Sequence, residues 1–559
     1  MAAAGEAKQA AEAIALYHGG RFREALAGFE ALIDASPEPG VHCYWAGLCA
    51  RALGEPDDAA DHLVLAAHHL PQDERVWLAL GEALLGAGRM EEALDALREG
   101  AGVASDPVPH LRASATALKQ LGRPDDAVAM LAKVVAARPE DALHRSVLAL
   151  ALLRAGRIDA AYAEAAAALR LDADCAEACH HAGLIEREMG NLPAALALFE
   201  HAFELRPEAP EVRAALAHVL RDLGRVDEAL AHYDAVLERH PGFADAELNR
   251  AYLMLMLGRY AEGWDAYECR YSFPGFLPAP AGLAPWSGRS DEPVLVFGEQ
   301  GIGDQVMFAS CLPDLCAHAS QVTIACNPRL SGILARSFPR ATVRADSSPL
   351  EAPRRMGAAV SIASLPRHFR RSPGDFPAHG GYLRADAKRV AQWTARIGGA
   401  PGMRRVGLAW RGGSHQTRGH LRSIAPRTVA MLSGVPGVTW VSLQYGDASA
   451  DLGALGESGM PVARWVAIEQ DLEDCAAAIM ALDLVIAIDN TVAHLAGALG
   501  KPVWILVSCG AEWRYGLQGE TMPWYPSARL FRQQPGEGWE PVLCAVLAAL
   551  TWPGTHSCV

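Results

Sequence analysis

A glycine recurs every 34 residues through the first half of the chain. It stands, without a slip, at Gly20, Gly54, Gly88, Gly122, Gly156, Gly190, Gly224 and Gly258. A fixed period of this length is typical of stacked supersecondary units, each of which buries its apolar face only against its neighbours. The pattern therefore predicts an array of about eight 34-residue units over residues 1–270.

Other positions recur in register with the glycine. A small residue follows it by five positions, as in Ala59, and a large apolar one often follows by nine, as in Leu63; proline often follows by seventeen, as in Pro71. Glycine separates two helices, the small residue lets them approach, the large one fills the groove, and proline starts the next unit. This spacing resembles the tetratricopeptide repeat (TPR) over residues 10 to about 270. The resemblance implies an α-solenoid with a concave protein-binding face, a spacer or dimerisation surface being the alternative.

From Val294 onward the pattern changes to alternating strands and helices. Such alternation indicates parallel α/β sheets, whose ligands lie beyond the carboxyl ends of the strands. A segment with Pro, Gly and Arg punctuation near residues 365–405 suggests two Rossmann-like lobes, residues 294–395 and 396–559, after a linker at 271–293. Strands are expected at Val294–Phe297, Val322–Ala325, Val360–Ile362, Val406–Trp410, Trp440–Gln444, Leu484–Ile488 and Val503–Val507.

The first predicted strand leads into a glycine-bearing turn and a helix. The segment VLVFGEQGIGDQVMFASCLPDL carries Gly298, Gly301 and Gly303, with Asp304 at the helix start. Glycines leave room for a ligand against the main chain, and the free N–H groups of a helix start favour negative charge. Asp304 is therefore a candidate site residue, although an aspartate here is also a common helix cap.

Basic side chains cluster after the first strand of the second lobe. The loop RGGSHQTRGHLRS carries Arg411, Arg418, Arg422 and Ser423, together with two histidines. Arginine forks and loop N–H groups suit a phosphate or diphosphate. A solvated basic loop is the alternative interpretation.

Two more clusters follow later strands of the second lobe. Asp489, Asn490 and Thr491 precede a helix that carries His494, which suits a nucleotide phosphate or ribose, although these residues also suit a plain cap. After the next predicted strand come aromatic residues and an arginine, which either pack a base or close the lobe. They are Trp513, Arg514, Tyr515, Trp524 and Tyr525.

The order of these motifs carries a second resemblance. GEQGIGDQVMFASCLPDL, GLAWRGGSHQTRGHLRSI, VSLQYGD, DLVIAIDNTVAHLAGALGKPVWILV and EWRYG followed by PWYPSARLFRQ resemble the heptosyltransferase-like (family 9-like) GT-B glycosyltransferases of bacteria, in particular a branch with an N-terminal TPR array. The resemblance implies two Rossmann-like lobes and Asp304 as the catalytic base. It implies donor binding by Gly301, Gly303, Arg411, Arg418, Arg422, Ser423, Gln444, Asp489, Asn490, Thr491, His494, Trp513 and Arg514.

Two departures from that family leave the donor open. Asp489-Asn490 replaces the usual Asp-Thr or Asp-Ser, and Arg411-Gly412-Gly413 replaces the usual Gly-Asn-Pro. The resemblance implies metal-independent, inverting transfer from a nucleotide-sugar substrate, with no cofactor. A CMP-linked nonulosonic acid such as pseudaminic acid is one candidate donor.

The acceptor is expected to be a protein, because a long concave solenoid suits an extended or helical protein segment better than a small glycan. Transfer to Ser or Thr hydroxyls is favoured, and the resemblance makes flagellin the leading named acceptor. Two alternatives stay open. One is a transferase that builds lipopolysaccharide or capsule glycan, and the other is a non-catalytic TPR adaptor with a degenerate GT-B domain.

Composition restricts the kinds of partner and the cell compartment that are expected for this chain. A formal charge of −15 argues against a nucleic-acid partner, and the twelve cysteines form no CxxC pair. There is no apolar run of the 18 or so residues that a membrane span needs, and the start of the chain lacks the features of a signal peptide. A cytoplasmic protein without a structural zinc site is expected.

Overall fold

The fold is taken from a computed structural model. It describes residues 2–273, 276, 279–289, 291–346, 356–399, 402–413, 419–510 and 512–551. The chain divides into two compact units. The first comprises Met1–Glu186 and Ala197–Arg206, and the second Arg187–Leu196 and Pro207–Val559.

Successive helices, arranged in pairs around the repeat glycines, fill the described part of the repeat region. In chain order the helices are α1 (Ala2–His18), α2 (Phe22–Ala35), α3 (Gly40–Ala52), α4 (Pro56–His69), α5 (Glu74–Gly86), α6 (Met90–Val103), α7 (Val108–Gln120), α8 (Pro124–Ala137), α9 (Ala142–Arg154), α10 (Ile158–Leu171), α11 (Ala176–Glu188), α12 (Leu192–Leu205), α13 (Pro210–Asp222), α14 (Val226–Arg239), α15 (Ala244–Met256) and α16 (Tyr260–Tyr267). The predicted stack of repeated helix pairs is confirmed.

The repeated glycine has a local conformational cause. All eight repeat glycines have φ between 69° and 81°, a left-handed conformation that disfavours a side chain and ends the first helix of each pair. The helices of a pair also approach closely. A Cβ on Gly47 of α3 would lie 2.5 Å from Cγ of Leu63 in α4, so the large residue fills the space that the glycine leaves.

The first α/β lobe contains a parallel sheet of five strands among the described residues. Its strands are β1 (Ala284–Pro285), β2 (Pro293–Phe297), β3 (Gln321–Ala325), β4 (Thr342–Arg344) and β5 (Ala358–Ser361), in the order β1-β5-β2-β3-β4. The helices that follow them are α17 (Ile302–Phe308), α18 (Leu312–His318), α19 (Ser331–Ser337), α20 (Pro366–Phe369) and α21 (Ala387–Ile397).

The second lobe contains a parallel sheet of six described strands. They are β6 (Arg404–Ala409), β7 (Val438–Ser442), β8 (Val462–Ala463), β9 (Leu484–Ile488), β10 (Val503–Val507) and β11 (Ala528–Arg532), in the order β11-β10-β9-β6-β7-β8. Its helices are α22 (Pro426–Val429), α23 (Ser449–Glu457), α24 (Val466–Gln470), α25 (Leu472–Ala481), α26 (Thr491–Ala498) and α27 (Glu540–Thr551). The predicted fold class, stacked TPR helices followed by two Rossmann-like lobes, is confirmed.

The strands that the sequence revealed contain a continuous run of buried residues. All five residues of β9 and of β10 are buried, and both strands occur at their predicted bounds. The two-residue strands β1 and β8 and the partly exposed β4 and β11 were not predicted, because a short or half-exposed strand leaves no continuous apolar run.

One apolar core joins the last repeat to the α/β lobes. It contains Leu248 and Leu255 of α15 and Trp264 of α16, together with residues of both sheets and of the helices between the lobes. Trp286, which follows β1, is buried in the same cluster. The last helix pair is therefore part of the second compact unit. No helix within the described ranges is long and apolar enough to cross a membrane.

Candidate active site between the two lobes

Loops from both sheets meet at the carboxyl ends of their strands. In the first lobe the glycine turn follows β2, and in the second lobe Arg411, Asp489 and the Trp513–Arg514 turn follow β6, β9 and β10. The carboxyl edge of a parallel sheet is where loops gather and ligands bind in open α/β folds. Most of the predicted site residues lie along this edge.

Asp304 and Arg514 join the two lobes. Nη1 of Arg514 donates to Oδ1 of Asp304 over 2.6 Å, and the side chains of Arg514 and Asp304 are 12% and 25% exposed. Among the described residues, none donates a hydrogen bond to the second carboxylate oxygen, Oδ2. Asp304 therefore lies at the contact between the lobes with one oxygen held and the other available.

Helices α17 and α26 pack directly on each other at Gly303. A Cβ there would lie 3.2 Å from Cδ2 of His494 and 3.5 Å from Oγ1 of Thr491. A side chain at this position would crowd the starts of the two helices. We call this contact region the interlobe seam; it comprises Gly303, Asp304, Thr491, His494 and Arg514.

Burial and neighbouring charges set the ionisation of the seam. Burial opposes the charge of Arg514, but Asp304 and Glu512 outweigh it and raise the pKa of the guanidinium. Burial, followed by Arg514 and Arg422, lowers the pKa of His494 well below its usual value. His494 is therefore neutral, and its Nδ1 shares a 3.0 Å hydrogen bond with the hydroxyl of Tyr525.

Asp489 forms a buried ion pair behind the seam. Nε of Arg422 donates to its Oδ1 over 2.6 Å, and the carboxylate side chain is 1% exposed. Burial raises the pKa of Asp489 to about 6, although Arg422 opposes the shift. Arg422, which was predicted to bind phosphate, is thus already paired with a carboxylate.

Asn490 is the cap of α26. Its side-chain oxygen accepts from the N–H groups of Val492 and Ala493, over 2.9 and 3.3 Å. Two of the helix-start donors are therefore occupied within the protein. Thr491, the next residue, is partly exposed and lines a pocket between the lobes.

Gln444 shapes the loop after β6. It is 1% exposed, and its Oε1 accepts from the N–H groups of Trp410 and Arg411 over 3.0 and 2.8 Å. The Arg411 guanidinium donates to the carbonyl of Asp447, and the Ser423 hydroxyl donates to that of Gly419. The remaining arginine of this group, Arg418, and the nearby His415 lie outside the described residues.

Two pockets adjoin these loops and share Tyr445. The first, of about 210 Å³, is lined by both lobes, with Ile302 and Arg329 on one side and Tyr445 and Thr491 on the other. The second, of about 390 Å³, is open and is lined by the loop after β6. Its walls include Arg411, Gly412, Gly413, Ser423, Gln444 and Tyr445. The two pockets, called the recess, include several of the predicted donor-binding residues, and the first of them borders the interlobe seam at Thr491.

The sequence interpretation missed several residues around the site. Arg329 and Tyr445 line the interlobe pocket but were not named as site residues, although Tyr445 lies in the motif VSLQYGD directly after Gln444. A buried pair holds the glycine turn, in which Arg270 donates to Glu299 through Nε and Nη2 over 2.9 and 2.8 Å. Glu299 lies in the glycine turn that the sequence analysis singled out. Arg270 lies in a segment without helical periodicity, so no sequence pattern indicated it.

The comparisons with known proteins agree with the repeat region. Two tetratricopeptide-repeat family models match the chain, one over residues 50–118 and 186–231 and the other over residues 10–67, 112–176 and 214–268. The N-terminal part of this chain is a TPR region, and an α/β part with two parallel sheets follows it.

One relative matches over a longer stretch. Protein FlbA of Caulobacter vibrioides is 33% identical over 317 residues, which are 52% of this chain and 52% of that protein. The chain thus spans about half the length of this relative. FlbA is a distant homologue.

Solved structures resemble the chain only weakly. A tetratricopeptide repeat protein from Parabacteroides merdae has 15% identity and a TM-score of 0.38, with 42% of this chain and 93% of that one covered. The APC/C hetero-tetramer Cut9–Hcn1 has 18% identity and a TM-score of 0.35, with 47% and 52% covered. Likenesses at these TM-scores carry no argument about function.

Proposed function

We propose that this chain is a glycosyltransferase that moves a sugar from a nucleotide-sugar donor to Ser or Thr hydroxyls of a protein bound by the TPR region. The observation that supports it most is the carboxylate of Asp304, which lies where two parallel α/β lobes meet, on the helix that also contributes Ile302 to a pocket lined by both. The resemblance to heptosyltransferase-like enzymes makes a cytoplasmic acceptor such as flagellin, and a CMP-linked nonulosonic acid such as pseudaminic acid, the first pair to test.

The geometry suits an inverting displacement. The acceptor hydroxyl attacks the anomeric carbon, its proton passes to Oδ2 of Asp304, and the bond from that carbon to the nucleotide phosphate breaks. Arg514 holds Oδ1 and so fixes the direction of the free oxygen. A positioned general base contributes typically about 10²- to 10⁴-fold to the rate.

The donor is assigned to the recess beside the seam. A pocket of about 210 Å³ with apolar walls and the partly exposed Tyr445 suits a base or nucleoside, and the open loop with Arg411 and two glycines suits the phosphates. Thr491 lies in the wall nearest to Gly303, so its hydroxyl is positioned to bind the ribose or a phosphate oxygen.

The replacement Asp304→Asn tests the base assignment. We expect nucleotide-induced stabilisation in thermal melts to remain, while sugar transfer falls by about 10²- to 10⁴-fold. Asp483→Asn is the matched control, because it also removes an arginine-paired carboxylate, that of Arg405, away from the seam. Transfer at the parental rate by the Asp304 variant would refute the assignment.

One observation favours a non-catalytic adaptor as the second candidate. Arg422 and Arg514 are both paired with carboxylates, and Asn490 occupies helix-start donors, so several groups predicted to bind phosphate are satisfied within the protein. Thermal shift with a panel of CMP, UDP, GDP and ADP separates the two candidates. A selective shift supports the transferase, whereas no shift with any nucleotide supports the adaptor.

A further inference from the structure

We propose that the last TPR helix pair positions the catalytic site, and that Tyr267 and Arg270 are positioning residues for the turn that carries Asp304. This inference rests on the proposed transferase function. It goes beyond acceptor capture, because it assigns part of the repeat region to the catalytic machinery.

Two successive residues of the glycine turn are bonded to the end of α16 and to the short turn, Glu268–Ser272, that follows it. Arg270 and Glu299 are paired with both side chains 0% exposed. The next residue, Gln300, donates from Nε2 to the hydroxyl of Tyr267 over 2.6 Å. Since Gly301 follows directly as the cap of α17, these bonds set where the helix that bears Asp304 begins.

The buried pair is extended by further polar contacts. Nη2 of Arg270 donates to Ser364 over 2.6 Å, and the hydroxyl of Ser361 donates to Glu299. Burial raises the pKa of Glu299 against the opposing effect of Arg270, so this carboxylate depends on its partners for its charge. Buried ionic groups of this kind add little to stability, and their best-attested use is to select one arrangement of neighbouring elements.

The other half of the seam is held by the same helix pair. Trp513, adjacent to Arg514, stacks on Tyr252 of α15 with ring centroids 6.5 Å apart and planes at 7°. It also meets Trp264 of α16 edge-on, at 5.3 Å and 88°. The turns that carry Asp304 and Arg514 therefore come from different lobes, yet both contact the last helix pair or the turn that follows it.

This common support explains how loop residues keep a fixed geometry. Catalytic groups need placement within about 0.5 Å, and loops reach that precision only when neighbouring packing and hydrogen bonds lock them. A displacement of about 1 Å can lower a rate by about 10²-fold. The last repeat supplies such locks to both lobes.

The test is Tyr267→Phe, which removes the hydroxyl and keeps the ring in the core. Tyr260→Phe is the control, because it makes the same change on the same helix, where the ring packs against Phe376. Hydrogen exchange of the amides of residues 299–305 is measured in the full-length protein, together with melting temperature and transfer kinetics.

We expect Tyr267→Phe to speed exchange in the glycine turn about fivefold, as the loss of one hydrogen bond of about 1 kcal/mol implies. We also expect kcat to fall by roughly two- to fivefold with KM for the donor unchanged, while Tyr260→Phe alters neither. In a double-mutant cycle with Gln300→Ala, the losses of unfolding free energy caused by the two replacements should not be additive.

Unchanged exchange in residues 299–305 and additive effects in the cycle would overturn the positioning role. The exchange and the cycle in stability need no sugar transfer. If no donor is ever turned over, the transferase proposal fails, and these measurements still decide whether the last repeat holds the turn.

Discussion

At the residue scale, the site is built from arginine–carboxylate pairs. Arg514 with Asp304 and Arg422 with Asp489 each bring together residues far apart in sequence. The two carboxylates differ in surroundings. Asp304 is one-quarter exposed at the seam and suits proton transfer, whereas Asp489 is fully enclosed and serves to hold the loop after β6 against β9.

The enclosed carboxylate predicts a pH effect on stability. The pKa of Asp489 is about 6 in the folded chain, above the value of 3.8 for a free aspartate, so the folded state binds the proton more tightly. Its contribution to the free energy of unfolding therefore falls as pH rises from about 4 to 6. We therefore expect the free energy of unfolding of Asp489→Asn, minus that of the parent, to increase as the pH is raised from 4.5 to 7. Denaturant unfolding at each pH measures this difference.

Asp483 provides a control of opposite sign. Burial opposes its charge, but hydrogen bonds from Arg405 outweigh burial and lower the pKa of this carboxyl. The stability that it contributes is present above the unfolded pKa and is lost as the pH falls, so Asp483→Asn should lose stability relative to the parent as the pH rises. The same trend for both variants would contradict the assignment of Asp489.

At the element scale, the contact of α17 with α26 decides how the lobes meet. Gly303 allows it, because a Cβ would lie 3.2 Å from the buried His494. Asn490 caps α26 and so fixes where the helix begins. The contact between α17 and α26 is therefore favoured by the absence of a side chain at Gly303 and by the Asn490 cap.

Replacement of Gly303 by valine should separate the two helices. We expect a loss of about 1–3 kcal/mol in the free energy of unfolding, as for other overpacked cores, together with weaker nucleotide binding. Gly303→Ala should have the same effect to a smaller degree. The control is Gly453→Ala in α23, where a Cβ meets open space; this change should be neutral or stabilising. Nucleotide affinity equal to the parent in Gly303→Val would argue against a donor at the seam.

At the scale of the whole molecule, the repeats do not end where the α/β core begins. Helices α15 and α16 bury Leu248, Leu255 and Trp264 in the core of the lobes. The 34-residue period places these helices with the repeats, but their packing places them with the lobes.

This shared core predicts which fragments fold. A fragment of residues 207–559 should give a cooperative thermal transition by circular dichroism. A fragment of residues 271–559 should lack one, because it exposes the faces that pack on Tyr252 and Trp264. A stable, monomeric 271–559 fragment that melts cooperatively would show that the last repeat is dispensable.

The sequence alone determined the features that depend on short-range patterns. The 34-residue glycine period revealed the helix pairs, because a left-handed turn needs glycine in every unit. Fully apolar runs revealed β9 and β10, because a strand covered on both faces has no polar side. The sequence also predicted that Gly303, Asp304 and the start of α26 lie at the carboxyl ends of strands, where ligands bind.

Only the tertiary structure decided how these groups pair. Arg514 lies 210 residues from Asp304, and Glu299 lies 29 residues from Arg270. No local pattern encodes which arginine meets which carboxylate, because that choice follows from how the sheets and the last repeat pack. The strands and turns are therefore readable from the chain itself, whereas the charges available to a ligand are set by packing across the lobes.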